Sequence, residues 1–312
     1  MFHLIMKFSI TIFIVALSFP LFSCKVRKSS TPAPTPLSAA PEVMSGFILA
    51  KKDAMLPVGS VLSRETRDSL FDGTIKIVSQ GQDITGTIVS ENVQTETLTI
   101  LSDAQMRLHT KPTVVTAKII VNDAEQNTPK EKSSPLDSLN VLLDKQESKW
   151  TASLENGATP SDSQKKALEK QAANFNSADE VIQYGDMARQ PGDKWSVDIA
   201  TLQSFGGYVS GTAKGKIEFE FVEIATFEGA ECAIIKSTFI ASGTTPEEDD
   251  QASMTANIKG TTIIYRSIKD LTDLQTTVDG EIEIKGLAGP NAELMIKGKN
   301  RSSTKTTIKK PN

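Results

Sequence analysis

The clearest strand signal in the chain is Lys216-Ile217-Glu218-Phe219-Glu220-Phe221-Val222-Glu223. Its apolar residues alternate with charged ones, which is the two-residue period of a strand with one face buried and the other in water. Burying its inward isoleucine and two phenylalanines would stabilise the fold by about 5 to 9 kcal/mol before chain entropy is counted. A turn at Glu228-Gly229 leads into a second apolar arm at residues 231–240, so we predict an antiparallel hairpin.

Similar strands, many of them rich in threonine, recur on both sides of this hairpin. Short turns join consecutive strands, which favours an antiparallel arrangement over a parallel α/β sheet. We therefore predict an α+β fold that is mainly β, with long strands in a curved sheet or half-barrel. The other predicted strands span residues 61–70, 74–78, 85–89, 96–109, 113–121, 254–266, 274–285 and 292–308, with turns at 71–73, 80–83 and 286–291.

A small helical segment is predicted at about residues 161–189. Ser161 and Gln164 have the spacing of a capping box and open a helix over 165–175. Ser177 and Glu180 repeat the spacing before a second helix over 181–187. Residues 134–150 fit either a helix or a hairpin, and we favour the hairpin.

Composition excludes several classes of function. The chain is 38% hydrophobic and 23% charged, which is globular, and its 34 Lys and Arg nearly balance 38 Asp and Glu. This balance gives no reason to expect nucleic acid as a partner. Two cysteines and two histidines are too few for a zinc finger, a disulfide scaffold or a multi-histidine centre, so we predict no metal site and no cofactor.

The N-terminus has the pattern of an export signal over residues 1–23. Lys7 precedes an apolar run from Phe8 to Phe22, which is too short to span a bilayer and matches a secretory signal peptide. Translation could start at Met1 or at Met6. Such a segment can lead to ordinary secretion, remain as an uncleaved membrane anchor, or be replaced by a lipid on the new N-terminal residue, and the residues at its end favour the last of these.

The run ends in Leu21-Phe22-Ser23-Cys24, which resembles the lipobox of bacterial lipoproteins, although Phe22 is bulkier than the residue usual there. The resemblance implies cleavage between Ser23 and Cys24 and a diacylglyceryl thioether on Cys24, usually with a further acyl chain such as palmitate on its amine. Two or three chains make membrane attachment effectively permanent. In Gram-negative lipoproteins an Asp after the cysteine retains the protein at the inner membrane, and Lys25 stands at that position here. The resemblance therefore implies the outer membrane, and we expect the protein there, facing the periplasm.

The mature chain divides into a tether and a folded part. Residues 24–44 hold the acylated cysteine and a Pro/Ser/Thr-rich stretch with four prolines, which predicts an extended, disordered linker. Residues 45–312 are expected to form a single β-rich domain. Two β-meander halves at about 45–130 and 190–310, joined by the helical connection, are the alternative division.

Motifs for catalysis are weak. Ser163 to Lys166 and Ser302 to Lys305 each match S-x-x-K, but the companion Lys-Thr-Gly and Ser-Asp-Asn motifs of penicillin-recognising enzymes are missing from the sequence. His109 is the one histidine of the mature chain, and we interpret it as a surface or edge residue. Cys232 lies in a predicted core strand and is interpreted as a buried, inert thiol. We therefore predict no catalytic residue.

Two further features are interpreted as structural. The acidic run Glu247–Asp250 lacks the spacing of a calcium loop and is expected to be a solvated hairpin tip. Trp150 and Trp195 are expected to anchor the core. Their order around the helical segment, over about residues 135–287, resembles uncharacterised β-rich bacterial envelope lipoproteins, a resemblance that implies no known activity.

The sequence therefore favours a lipid-anchored envelope protein with a non-catalytic binding or structural role, whose partner is another envelope protein. The alternative is a carrier of lipid or another apolar ligand in a half-barrel cavity covered by residues 161–189, similar to Lol-type and mycobacterial half-barrel lipoproteins. An envelope hydrolase is disfavoured because the usual catalytic sets are missing. A ligand-sized apolar cavity would favour the carrier, and a filled core would favour the partner-binding protein.

Overall fold

Strands make up most of this computed structural model, which describes residues 46–52, 54–79, 81–126, 131–132, 134–202, 213–244, 254–289 and 292–311. The signal segment, Cys24, the tether and the acidic run at 247–250 lie outside the described residues. The strands are β1 (Phe47–Ile48), β2 (Val61–Ser79), β3 (Gln82–Ser102), β4 (Gln105–Thr110), β5 (Thr113–Val121), β6 (Ala124–Gln126), β7 (Glu131–Lys132), β8 (Asn140–Gln146), β9 (Lys149–Leu154), β10 (Ala188–Arg189), β11 (Lys194–Asp198), β12 (Lys214–Phe227), β13 (Ala230–Thr244), β14 (Met254–Ser267), β15 (Thr272–Gly289) and β16 (Ala292–Lys309), and the helices are α1 (Asp162–Asn176) and α2 (Asp179–Tyr184).

One large antiparallel sheet holds all but two of these strands. Its strands follow the order β11-β12-β13-β14-β15-β16-β2-β3-β4-β8-β9, with β5 beside β3, and β6 and β7 beside β5. The long strands β16 and β2 pair from Ala292↔Ser79 to Lys309↔Val61, so the first and last long strands are neighbours. The prediction of a mainly β fold with long antiparallel strands is confirmed. Within the described residues the sheet is open, ending at β11 and β9.

Several predicted strand ends are wrong. Residues 61–70 and 74–78 form one strand, β2, because the register shift between Leu70 and Gly73 is a β-bulge and not the expected turn. The chain does not reverse there because both sides of the bulge keep pairing with β16 and β3. Residues 85–89 and the start of 96–109 also fuse, into β3, and a turn at residues 103–104 separates β3 from β4. Predicted turn residues 286–289 belong to β15.

The ambiguous middle stretch is a hairpin, β8 and β9, as favoured. The first capping box is confirmed, because the Ser161 hydroxyl accepts a hydrogen bond from the Gln164 backbone N–H at 3.3 Å and the Gln164 side chain accepts one from the Ser161 N–H at 2.9 Å. The second box is wrong, since α2 begins after Ala178 without a side-chain cap. Its expected capping residue, Glu180, is buried and bonds Arg266 instead.

The core consists of three apolar clusters. The first packs Tyr184 of α2 against Phe219, Phe221 and other residues of β12–β15, and the second packs Leu168 and Phe175 of α1 beneath β4, β8 and β9. The third, which we call the sheet-only cluster, has all of its residues on strands. Its buried members are Leu70, Ile75, Ile88, Ile119, Ile282, Ile284 and Ile296. Of the helices that the structure describes, none is long and apolar enough to cross a membrane.

Candidate binding cleft

A cleft lies between α2 and the inner face of the sheet. Its walls come from six adjacent strands, β12 to β16 and β2, together with Gln183 of α2. Its cavity volume is about 30 Å³, and one buried water needs roughly 10–15 Å³, so there is room for about two waters. The lining residues are Arg64, Gln183, Ile217, Phe219, Ser237, Phe239, Thr262, Ile264, Asp273, Thr276, Val278, Ser302, Thr304 and Thr306.

Register explains why these side chains meet. Cross-strand pairing runs Phe219↔Ser237↔Thr262↔Val278↔Ser302↔Asp68, so a single row crosses the inner face from β12 to β2. The row changes from aromatic at β12 to hydroxyl and carboxylate at β16 and β2. On the central strands the inner face therefore carries a patch of polar side chains, which we call the polar patch: Thr66, Asp68, Ser90, Ser302, Thr304 and Thr306.

Asp68 is the charged member of the polar patch and is only 5% exposed. Burial raises the pKa of its carboxyl to about 6, although a hydrogen bond with Ser302 opposes this. Among the described residues, its Oδ1 has no hydrogen-bond partner, nor do Ser90 Oγ and Thr306 Oγ1. Unpaired buried oxygens of this kind are uncommon in folded proteins. The two hydroxyls can donate or accept, whereas the ionised Asp68 carboxylate accepts only, and it suits a bound group that donates hydrogen bonds.

A buried group of charges, which we call the latch cluster, fastens α2 to the sheet. Arg266 of β14 is fully buried, and its guanidinium bonds Glu180 of α2 and, at 2.6 Å, Asp273 Oδ1 of β15. The Tyr184 hydroxyl donates to Asp273 at 2.9 Å, and Arg266 Nε donates to the Leu49 carbonyl at 2.5 Å. Burial raises the pKa of Glu180 to about 7, and repulsion from the Asp273 carboxylate adds to the rise, although the attraction of Arg266 opposes it.

Trp195 holds the end of α2 beside the cleft. Its ring stacks on Phe219 with centroids 5.2 Å apart and an interplanar angle of 9°. Its indole Nε1 donates to the Gln183 carbonyl at 2.6 Å, and the Arg189 guanidinium lies 3.9 Å from the ring centroid. Trp195 thus packs in the core and also fixes the backbone of Gln183, whose side chain lines the cleft.

The charged residues lining the cleft are already paired. Arg64 forms an ion pair with Glu96 at 3.0 Å, and Asp273 bonds Arg266. The lining residues that the structure describes include neither histidine nor cysteine. Within the described part of the chain, no three His, Cys, Asp or Glu side chains are grouped to hold a metal ion. The cleft therefore offers apolar contact and hydroxyl groups.

The residues singled out from the sequence lie apart from one another. His109 is on β4, with Nδ1 3.0 Å from Asn140 Oδ1, whereas Cys232 is on β13, six strands away in the sheet. Cys232 is fully buried, and burial raises the pKa of its thiol. Ser163 is exposed on α1, which packs on β9.

Ser302 lines the cleft, but its partner in the S-x-x-K pattern points the other way. Lys305 forms an ion pair with Glu228 at 2.5 Å on the outer face. Residues three apart on a strand face opposite sides of a sheet, so this strand position separates the two groups.

Asp68 and Arg266 were missed by sequence reasoning. The signal for Asp68 was present, because Leu62, Arg64, Thr66, Asp68 and Leu70 share one strand face, and apolar residues begin and end the series. Arg266 likewise shares a face with Thr262 and Ile264. Their burial depends on neighbouring strands, which local alternation does not identify.

Comparison with known proteins does not assign this chain to a family. No family model matches the sequence, and no curated protein matches it. Among solved structures, the chain is similar to lipovitellin, in a structure describing its lipid–protein interactions, at 10% identity and a TM-score of 0.35 over 82% of this chain and 26% of that one. It thus spans about a quarter of the lipovitellin chain.

Two bacterial outer membrane proteins are also similar. An outer membrane channel from Pseudomonas putida F1 aligns at 9% identity and a TM-score of 0.21, over 86% of this chain and all of that one. The outer membrane protein OprG from Pseudomonas aeruginosa aligns at 6% identity and a TM-score of 0.15, over 80% and 96% of the two chains. TM-scores this low support no argument about function.

Proposed function

We propose that the chain is a lipid-anchored protein of the bacterial envelope that binds another envelope component and catalyses no reaction. The anchor is Cys24, on the lipobox resemblance of residues 21–24. The observation that carries the choice of a protein partner is the cleft, whose volume of about 30 Å³ is too small for a ligand and whose charged lining residues are already ion-paired. Its small volume is that of a nearly filled core, which favours a protein partner bound at the surface.

The sheet is proposed to curve into a half-barrel around the cleft. In a flat sheet, β12 and β2 would stand five strand spacings apart, about 24 Å. Side chains from both strands line one cleft, which curvature of the sheet toward α2 accounts for. Glycine supports the bend, because a Cβ added at Gly260 would lie 2.8 Å from the Phe239 ring.

A second candidate function is a carrier of an apolar ligand. The sheet-only cluster favours it, because this apolar part of the inner face adjoins the polar patch and, among the described residues, includes none from a helix. A lipid chain does not fit in about 30 Å³, so a ligand held in the cleft itself would require α2 to move away from the sheet. Such a movement would break the latch-cluster bonds of Glu180 and Tyr184 to the sheet and the bond from Trp195 to α2.

One experiment separates the two candidates. The lipidated full-length protein is purified from native membranes, cross-linked samples are searched for envelope proteins, and organic extracts of the uncross-linked protein are analysed by mass spectrometry. The covalent anchor stays with the protein, so an equimolar extracted lipid identifies a carrier. A reproducible cross-linked partner without such a lipid supports the partner-binding protein, and hydrolase activity lost in His109→Ala would contradict both.

A further inference from the structure

We infer that the ligand of the carrier function is an amphiphile whose chain lies along the sheet-only cluster and whose polar end, a protonated amine, bonds Asp68. The inference rests on the carrier function proposed above and names its ligand class. It is carried by the juxtaposition of an apolar cluster, whose rim is only partly buried, and unpaired buried oxygens on the same face of the same strands.

The apolar part of this site has the length of a lipid chain. On β14, inward apolar positions run from Ile258 to Met254, four residues or about 13 Å of strand. One leaflet of a bilayer provides about 15 Å of hydrocarbon for comparison. The rim of the cluster is only partly buried and therefore reachable; its residues are Ile77, Val121, Met254, Ala256, Ile258 and Leu294.

The polar part begins next to the apolar part. Asp68 is the inward residue next to Leu70 of the sheet-only cluster, two residues or about 7 Å away along β2. Ser90 lies across from Leu70 on β3, so its unpaired Oγ and the unpaired Asp68 Oδ1 flank the same leucine.

The sign of the preferred head group follows from Asp68. The described residues give it one hydrogen bond, from Ser302, and no cation. A buried carboxylate is stable only when it is paired or protonated. An ammonium group would supply both charge and hydrogen bonds, whereas a carboxylate head would be repelled.

The outer face of the same strands is different. Its charges are paired across strands and exposed, as in Lys259–Glu281, Lys297–Glu283 and Arg301–Asp279. Such a face is adapted to water. The ligand site is therefore assigned to the inner face alone.

The test uses residues 24–312 with Cys24→Ser, which keeps the whole mature chain and removes the proposed acylation site. Dodecylamine, dodecanol and dodecanoate compete at pH 7.5 with a fluorescent dodecylamine probe that carries its dansyl group at the far end of the alkyl chain and keeps its amine free. We expect the amine to bind more tightly than the acid. Asp68→Asn should weaken amine binding about tenfold, the loss of one charge-assisted hydrogen bond, and should leave dodecanol nearly unchanged.

Matched variants test where the alkyl chain of the ligand lies on the sheet. Ala256→Trp places a large ring on the inner face and should weaken all three compounds, whereas Thr255→Trp, one residue away on the outer face, should weaken none. Asp279→Asn is the control for removing an exposed carboxylate from the same sheet. Ser90→Ala gives a second test of the head group that leaves Asp68 in place, with a smaller loss of amine binding expected.

The outcomes distinguish failure of the head-group inference from failure of the carrier function on which it rests. If all compounds bind and Ala256→Trp blocks them, but Asp68→Asn and Ser90→Ala leave the amine unaffected, the head-group inference is wrong and the carrier function stands. If the unmutated inner face binds none of the compounds saturably, the carrier function itself fails. Equal binding of amine and acid also overturns the inference.

Discussion

Replacing Asp68 by asparagine should make the protein more stable at neutral pH. Asp68 is buried on the inner face of β2, and its carboxyl accepts one hydrogen bond, from Ser302. Asparagine has nearly the same shape and can still accept that bond, but it carries no charge. The substitution therefore removes the burial penalty of an ionised group with little change in packing.

The magnitude follows from the pKa of Asp68, which burial raises from 3.8 to about 6. Below pH 4 the carboxyl is protonated in the folded and unfolded states, and the charge has no effect. Between pH 4 and 6 the unfolded chain releases its proton first, so the folded state becomes less stable as the pH rises. Above pH 6 the full penalty applies, and a shift of this size corresponds to about 3 kcal/mol.

Urea unfolding of the native chain and of Asp68→Asn at several pH values measures this effect. The free energy of unfolding of the variant should exceed that of the native chain by up to about 3 kcal/mol at pH 8, and the difference should shrink toward zero at pH 4. Asp279→Asn, which removes an exposed carboxylate paired with Arg301, should change stability by less than about 1 kcal/mol. A difference that does not change with pH, or an Asp68→Asn protein that is less stable at pH 8, would refute the reasoning.

Three further predictions concern other parts of the chain. Arg266→Met should lower the free energy of unfolding by about 3 to 5 kcal/mol, because it leaves Glu180 and Asp273 buried without their cation. The loss should be smaller at pH 5, where Glu180 is protonated. Calorimetry at pH 5 and pH 8 checks both expectations. Ser161→Ala should cost about 1 kcal/mol through loss of the α1 cap, measured by urea unfolding, while Ser163→Ala on the same turn should have little effect. Cys24→Ala should abolish labelling by an alkyne fatty acid in cells, and persistent labelling would disprove the proposed anchor.

Sequence alternation predicted the strands well where one face is apolar and the other charged. The hairpin around Phe219 is the clearest case, because neighbouring charges force its apolar residues to one side. The method failed at Phe71-Asp72-Gly73, where a turn-like composition forms a bulge. Local composition permits both structures, and pairing with β16 and β3 selects between them.

The candidate site was less predictable than the fold. Glu180 matched a capping box, but it bonds Arg266, which lies 86 residues further along the chain. Asp68 and Thr66 looked like ordinary polar residues of a wet strand, and they became buried because the inner face is covered. The pattern of apolar and polar residues shows which side chains share a strand face. Which element covers that face depends on contacts between residues that are distant in the sequence.

Two aspartates of the same sheet show why the inner face favours a binding role. Asp279 lies on the outer face of β15, exposed to water and paired with Arg301, where its charge costs little. Asp68 lies on the inner face, where its charge costs about 3 kcal/mol at neutral pH and a single change to asparagine would remove that cost. Stabilising changes of this kind are easy to reach, so a destabilising group in a packed interior indicates a requirement other than stability. Binding of a ligand is such a requirement. A bound cation would pair with the buried Asp68 carboxylate and make it half of a buried ion pair, and a neutral hydrogen-bond donor would satisfy its unpaired oxygen.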